Sequence, residues 1–237
     1  MKYLLCAVVA VFVIYVIYHA IRINPLRGVA GDLVAQAQPY QQSPDTPTKR
    51  ILIIGDSLQA GVGASTSADS MAGLLGDDFP QYEIVNLAES GDETTDALEK
   101  ISQLNRDDFD VAIVQIGAND IFHRVDIEQS VNNLTQVLEI AKQKSDRVIF
   151  MTSGSVGYAP LFPAPLDWYF TARSREAIPK FIAVASGLDI EVVDNYRERD
   201  NDPFEQEPEK YYAADKFHLS NAGYRVWYER LKVVIEN

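Results

Sequence analysis

Cysteine is almost absent from this 237-residue chain: the only one, Cys6, sits inside an apolar N-terminal segment. The remainder can form no disulfide and must hold itself together by packing, for which its length is ample. Positive charge is also in short supply, with 21 Lys and Arg against 34 Asp and Glu and a net charge of -13. Long-range repulsion of that sign disfavours nucleic acid as a partner. The chain has no internal repeat. Its acidic stretch, residues 191–209, lacks the spacing of a calcium loop and reads as a solvated loop, so neither a metal nor an organic cofactor is expected.

One long hydrophobic run is present. Residues 3–21 contain no charged side chain, and His19 is their only strongly polar one. That is about the length needed to cross a hydrocarbon core as a helix. The small-x-small sequence Ala35-Gln36-Ala37 lies well beyond the run, whereas signal-peptide cleavage normally follows it closely, so an uncleaved anchor over residues 1–23 is favoured. Lys2 on one side faces Arg22 and Arg27 on the other, which leaves little charge asymmetry. The short N-terminal tail places that end in the cytoplasm, with the remaining chain extracytoplasmic or periplasmic.

Residues 24–49 are polar and loop-like, with Pro25, Pro39, Pro44 and Pro47 and a cluster of Gln36, Gln38, Gln41 and Gln42. They read as a flexible linker with room for one short helix over 29–37. From residue 50 to 237 short β-rich runs alternate with helical patterns. Strands are expected at 51–54, 83–87, 111–116, 147–152 and 190–193. The clearest helix covers about 126–142, where Ile127, Val131, Leu134, Leu138 and Ala141 recur at three- and four-residue spacing. Another begins near Ser220. Such βα alternation predicts an α/β protein with a parallel sheet between helical layers and a ligand site at the carboxyl ends of the strands.

Chemistry-bearing groups follow the first three of these strands. Gly55-Asp56-Ser57-Leu58 ends the first, Gly91 stands just past the second, and Gly117-Ala118-Asn119-Asp120 follows the third. A serine hydroxyl is a weak nucleophile until a base and an oxyanion site are supplied. Asp215-Lys216-Phe217-His218, before the last helix, offers a base and a carboxylate three residues apart. Asp56 and Asp120 read as turn-bracing residues, His123 as a rim histidine, and His19 as part of the membrane boundary. Residues 157–170 concentrate aromatics and prolines, which reads equally as a rigid loop lining an acyl pocket or touching a bilayer and as a packed loop that covers the sheet.

Taken in order, these four blocks resemble those of the SGNH, or GDSL-type, hydrolases over residues 50–237. The resemblance implies a three-layer α/β/α sandwich with a flavodoxin-like sheet of about five strands, here preceded by one transmembrane helix. It implies Ser57 as nucleophile, His218 as base and Asp215 as its orienting carboxylate. The Ser57 and Gly91 backbone N–H groups and the Asn119 amide would form the oxyanion hole. Leu219 stands where the family often has proline, a difference of loop stiffness rather than chemistry. The expected substrate is a small-molecule or lipid acyl ester, including thioesters and lysophospholipid-like esters. An acetylesterase or acyltransferase acting on envelope glycans is the enzymatic alternative; a membrane-tethered binding module that merely keeps the fold is the non-enzymatic one.

Overall fold

The computed structural model describes residues 2–236. Five strands appear where the apolar runs are: β1 Lys49–Gly55, β2 Tyr82–Asn86, β3 Phe109–Gln115, β4 Ser145–Met151 and β5 Glu191–Val193. They pair in parallel, in the order β2-β1-β3-β4-β5. This is the doubly wound order whose switch point lies between β1 and β3.

The helices are α1 Lys2–Gln36, α2 Ser57–Ala60, α3 Met71–Asp78, α4 Thr94–Gln103, α5 Ala118–His123, α6 Ile127–Lys144, α7 Leu166–Gly187, α8 Pro203–Gln206, α9 Pro208–Tyr211 and α10 Asn221–Ile235. The pleat sends alternate strand residues to opposite faces. Leu52, Ile54, Ala112, Val114, Val148 and Phe150 pack with α4, α6 and α7. Ile51, Ile53, Val111, Ile113, Ile149 and Met151 pack with α3 and α10. Strands buried on both faces have no polar side to alternate with, which is why they read as continuous apolar runs.

The segment expected to be a flexible linker differs from that reading. Helix α1 runs on through Pro25 to Gln36, so the helix anticipated over 29–37 is the continuation of the apolar one. Leu33 and Ala37, at its end, pack against Ala60, Val62 and Ala88. Beyond it the glutamines dock rather than swing free. Gln42 bridges Ile84 in antiparallel fashion and its side-chain amide donates to the Phe79 and Tyr82 carbonyls, while Gln41 pairs with both backbone groups of Asn86. The edge of β2 is thereby covered, and its exposed ladder groups are satisfied. The aromatic loop also ends earlier than expected, because Leu166 to Phe170 already form the start of α7.

Among the described residues α1 is the one helix long and apolar enough to cross a membrane. Its side chains at Tyr3, Leu4, Leu5, Val8 and Phe12 are exposed.

Candidate active site

Ser57 is the first residue of α2, directly after β1, so its backbone N–H has no intrahelical acceptor. Asp56 caps the same helix, accepting from the Leu58 N–H at 3.0 Å. The serine is 7% exposed and lines a pocket together with Asn119 and His218. Ser57 and His218 face this shared space without a hydrogen bond closing between them among the described residues. Serine–base contacts in substrate-free sites are commonly long and tighten on binding.

Asp215 and His218 are held by a tight turn. Lys216 between them adopts φ +63°, and the Ala213 N–H donates to the His218 carbonyl. Asp215 Oδ1 accepts from the backbone N–H groups of Phe217 and His218, both at 3.0 Å, which leaves Oδ2 for His218 Nδ1 at 2.5 Å. The pair is enclosed, with Asp215 only 1% exposed. Burial pushes the Asp215 carboxyl up, but the His218 hydrogen bond and charge and the two N–H donors outweigh it and hold the group below the usual carboxylate range. The remaining ring nitrogen, Nε2, is thereby left for the pocket.

Asn119, in the first turn of α5, donates from Nδ2 to the Asp92 carbonyl at 2.9 Å. That bond ties the amide to the residue after Gly91. Gly91 itself has φ +96°, a conformation open to glycine, and a β-carbon there would meet nothing within 4 Å. It lies beside the pocket rather than among its lining residues. Asp120 accepts from the Thr94 backbone and hydroxyl at 3.0 and 2.6 Å and so clamps α5 to α4. His123 is half-exposed and paired with Glu93, apart from the pocket.

Three further contributors were not singled out from the sequence. Ser153, Gly154 and Ser155, after β4, form one wall. Asp202, from the acidic stretch read as a solvated loop, is instead 4% exposed and lines the same pocket; burial pushes its carboxyl up. It caps α8 through the Phe204 N–H at 2.9 Å. Gly63 supports the histidine turn from beneath. The cavity measures about 70 Å³, walled largely by Val156, Phe204, Phe217, Leu219 and Trp227. Among the described residues no group of three or more His, Cys, Asp or Glu is arranged to hold a metal ion.

The profile of the GDSL-like lipase/acylhydrolase family matches residues 53–226. Similar solved structures include a G-D-S-L lipolytic protein from Veillonella parvula DSM 2008, at 20% identity and TM-score 0.65, covering 79% of this chain and 98% of that one. A lipase/acylhydrolase from Enterococcus faecalis shares 22% identity with TM-score 0.63, covering 79% and 95%. The acetyl xylan esterase AlAXEase shares 19% with TM-score 0.59, covering 78% and 99%. No curated protein matches the sequence. The match spans β1 to α10 and takes in the serine, asparagine and histidine blocks, so the chain belongs to the GDSL-like lipase/acylhydrolase family and is an ester-hydrolysing enzyme of that family.

Proposed function

We propose that the chain is a serine esterase of short acyl groups working through an acyl-serine intermediate. Ser57 Oγ attacks the ester carbonyl while His218 Nε2 takes its proton; the same proton then goes to the departing alcohol oxygen. Water, deprotonated by His218, attacks the acyl-serine, and collapse releases the carboxylic acid and free Ser57. The two oxyanions formed on the way accept hydrogen bonds from the Ser57 and Gly91 N–H groups and from Asn119 Nδ2. Asp215 orients the imidazole and stays ionised.

The observation that carries this reading is the 2.5 Å Asp215–His218 contact, buried and aimed at the pocket that Ser57 and Asn119 line. A binding module has no use for a buried carboxylate that orients an imidazole toward a serine.

The short acyl preference rests on the cavity. At about 70 Å³ it is roughly half the ~150 Å³ that takes up one benzene, so it encloses an acetyl or butyryl chain, whereas most of a palmitoyl chain would extend beyond it. This favours acetylesterase-like substrates over fatty acyl ones. The test is a series of p-nitrophenyl esters from acetyl to palmitoyl, with fluorophosphonate labelling of the parent and of Ser57→Ala. Labelling lost in Ser57→Ala and kcat/KM highest at the short end support the proposal. A variant that still hydrolyses at the parent rate removes Ser57 from the mechanism, and a palmitoyl optimum removes the short acyl assignment alone.

A further inference from the structure

We propose that Leu166, Trp168 and Tyr169 form an interfacial foot that sits in the lipid headgroup region beside α1, so that the pocket opens onto a bilayer surface. The inference rests on reading α1 as a membrane span.

The geometry begins where the charge-free run of α1 ends. The Tyr15 hydroxyl donates to the Ala164 carbonyl, and the Arg22 guanidinium donates to the Pro160 carbonyl. Residues 160–164 therefore lie against the last two turns of the apolar run. Arg22 is the first charged residue after that run, and Tyr18 and Tyr15 precede it by about one and two turns. Tyrosine and arginine in this order mark the level at which a spanning helix leaves the hydrocarbon.

At that same level α7 begins with Leu166 at 44%, Trp168 at 67% and Tyr169 at 43% exposure. Outside α1, only Val233 joins them as an exposed large apolar side chain among the described residues. Outside α1, exposed apolar groups are thus concentrated within five residues of Ala164 rather than scattered, which is how a soluble surface would carry them. Tryptophan and tyrosine combine an apolar body with a polar tip and favour the headgroup region. A net charge of -13 gives no attraction to anionic headgroups, so apolar insertion has to supply the contact.

The foot is mechanically joined to the pocket. Tyr169 packs edge-on against Phe170 at 5.3 Å, Phe170 against Phe162 at 4.8 Å, and Phe162 against Phe217 at 5.7 Å. Phe217 is a pocket wall and the neighbour of His218. Seating the foot in lipid therefore fixes the pocket at the membrane surface, where an ester borne by an interfacial alcohol reaches Ser57 without crossing bulk water.

The two tryptophans allow a direct test on the full chain. Trp168 is exposed, whereas Trp227 is 4% exposed in the core on the opposite face of the sheet. The protein is reconstituted in phosphatidylcholine vesicles, with or without phosphatidylcholine brominated high on the acyl chains. Flotation with the vesicles reports the anchor, and tryptophan emission reports the foot. The expected result is flotation together with strong quenching that Trp168→Phe abolishes, the variant still labelling with fluorophosphonate like the parent. Flotation with unquenched emission overturns the foot while leaving the anchor standing, and assigns the patch to a protein partner. Failure to float overturns the anchor and the foot together, while fluorophosphonate labelling reports the esterase reading independently of both. Kinetics add a second arm: Trp168→Ser with Tyr169→Ser should raise KM several-fold for a short acyl ester embedded in vesicles and leave a soluble ester unchanged. An equal loss on both substrates overturns the proposal.

Discussion

Gly63 lies directly beneath His218. A β-carbon at position 63 would come within 2.4 Å of the Leu219 carbonyl oxygen, 2.9 Å of Ala213 Cβ and 3.2 Å of His218 Cβ, and its φ of +93° already lies where L side chains are strained. Both ends of the histidine turn thus rest on this one residue, six positions after the serine. Only glycine lets the serine loop and the histidine turn touch.

Gly63→Ala is therefore expected to disturb catalysis more than its size suggests. The strain is about 1–3 kcal/mol, worth about 2–4 °C of Tm per kcal/mol in a chain of this length. The backbone clash with Leu219 should also move His218, so kcat falls while binding of a short ester is less affected. Gly187→Ala is the control, since a β-carbon there meets nothing within 4 Å. Equal behaviour of the two variants in melting curves and ester hydrolysis would separate Gly63 from the histidine turn.

Asp215→Asn tests the orienting carboxylate. An amide at this position has no charge with which to hold the imidazolium of the proposed attack, and it favours the wrong tautomer. The expected loss in kcat is about 10⁴-fold, the scale of the same replacement in a serine protease, with KM nearly unchanged. Stability should change with pH as well. The parent's carboxyl is held below its ordinary value of 3.8, so its contribution is full above that value and is lost as pH falls below it. The variant should lack that acid-side loss, which thermal melts at pH 3 and 6 would reveal.

Asn119→Ala removes a neutral donor that bonds Asp92 at 2.9 Å from one side. In the proposed mechanism it serves a substrate oxygen only once charge has formed there. A fall of about 100- to 1000-fold in kcat with little change in KM is expected. A loss confined to KM, in steady-state kinetics with p-nitrophenyl acetate, would place Asn119 in ground-state binding instead.

The sheet was legible because the central strands β1, β3 and β4 are largely buried on both faces and write continuous apolar runs, and the candidate edge because Ser57, Gly91 and Asn119 all follow strand segments. The histidine turn was legible from the three-residue spacing of Asp215 and His218. Other features depend on contacts that no local pattern encodes. Pro25 and the glutamines looked like linker signals, yet the helix continues past the proline to pack Leu33 on Val62, and Gln41 and Gln42 find their partners on β2. Asp202 sits among Asp200, Glu205 and Glu207, and nothing in that run distinguishes it. It is buried only because Phe204 and Trp227 close over the same pocket. Gly63 acquires its role from a turn 155 residues away.

Asp56, the residue before Ser57, supplies a prediction in the opposite pH direction. It is 1% exposed. Burial raises its carboxyl, the Leu58 N–H lowers it only partly, and the charges of Asp120 and Asp92 raise it further, to about 7. The unfolded chain titrates this group near 3.8. Between those values the folded protein holds a proton that the unfolded chain has given up, so rising pH favours unfolding across the window. Below it both states are protonated; above it both are ionised, and the whole cost of burying the charge remains. Asp56→Asn keeps an acceptor for the Leu58 N–H and cannot ionise. Its Tm should exceed the parent's at pH 8, and the difference should shrink steadily as pH is lowered toward 4. Calorimetric melts across that range decide it: a difference independent of pH, or a parent more stable than the variant at pH 8, would mean that Asp56 is ionised at no cost in the folded enzyme.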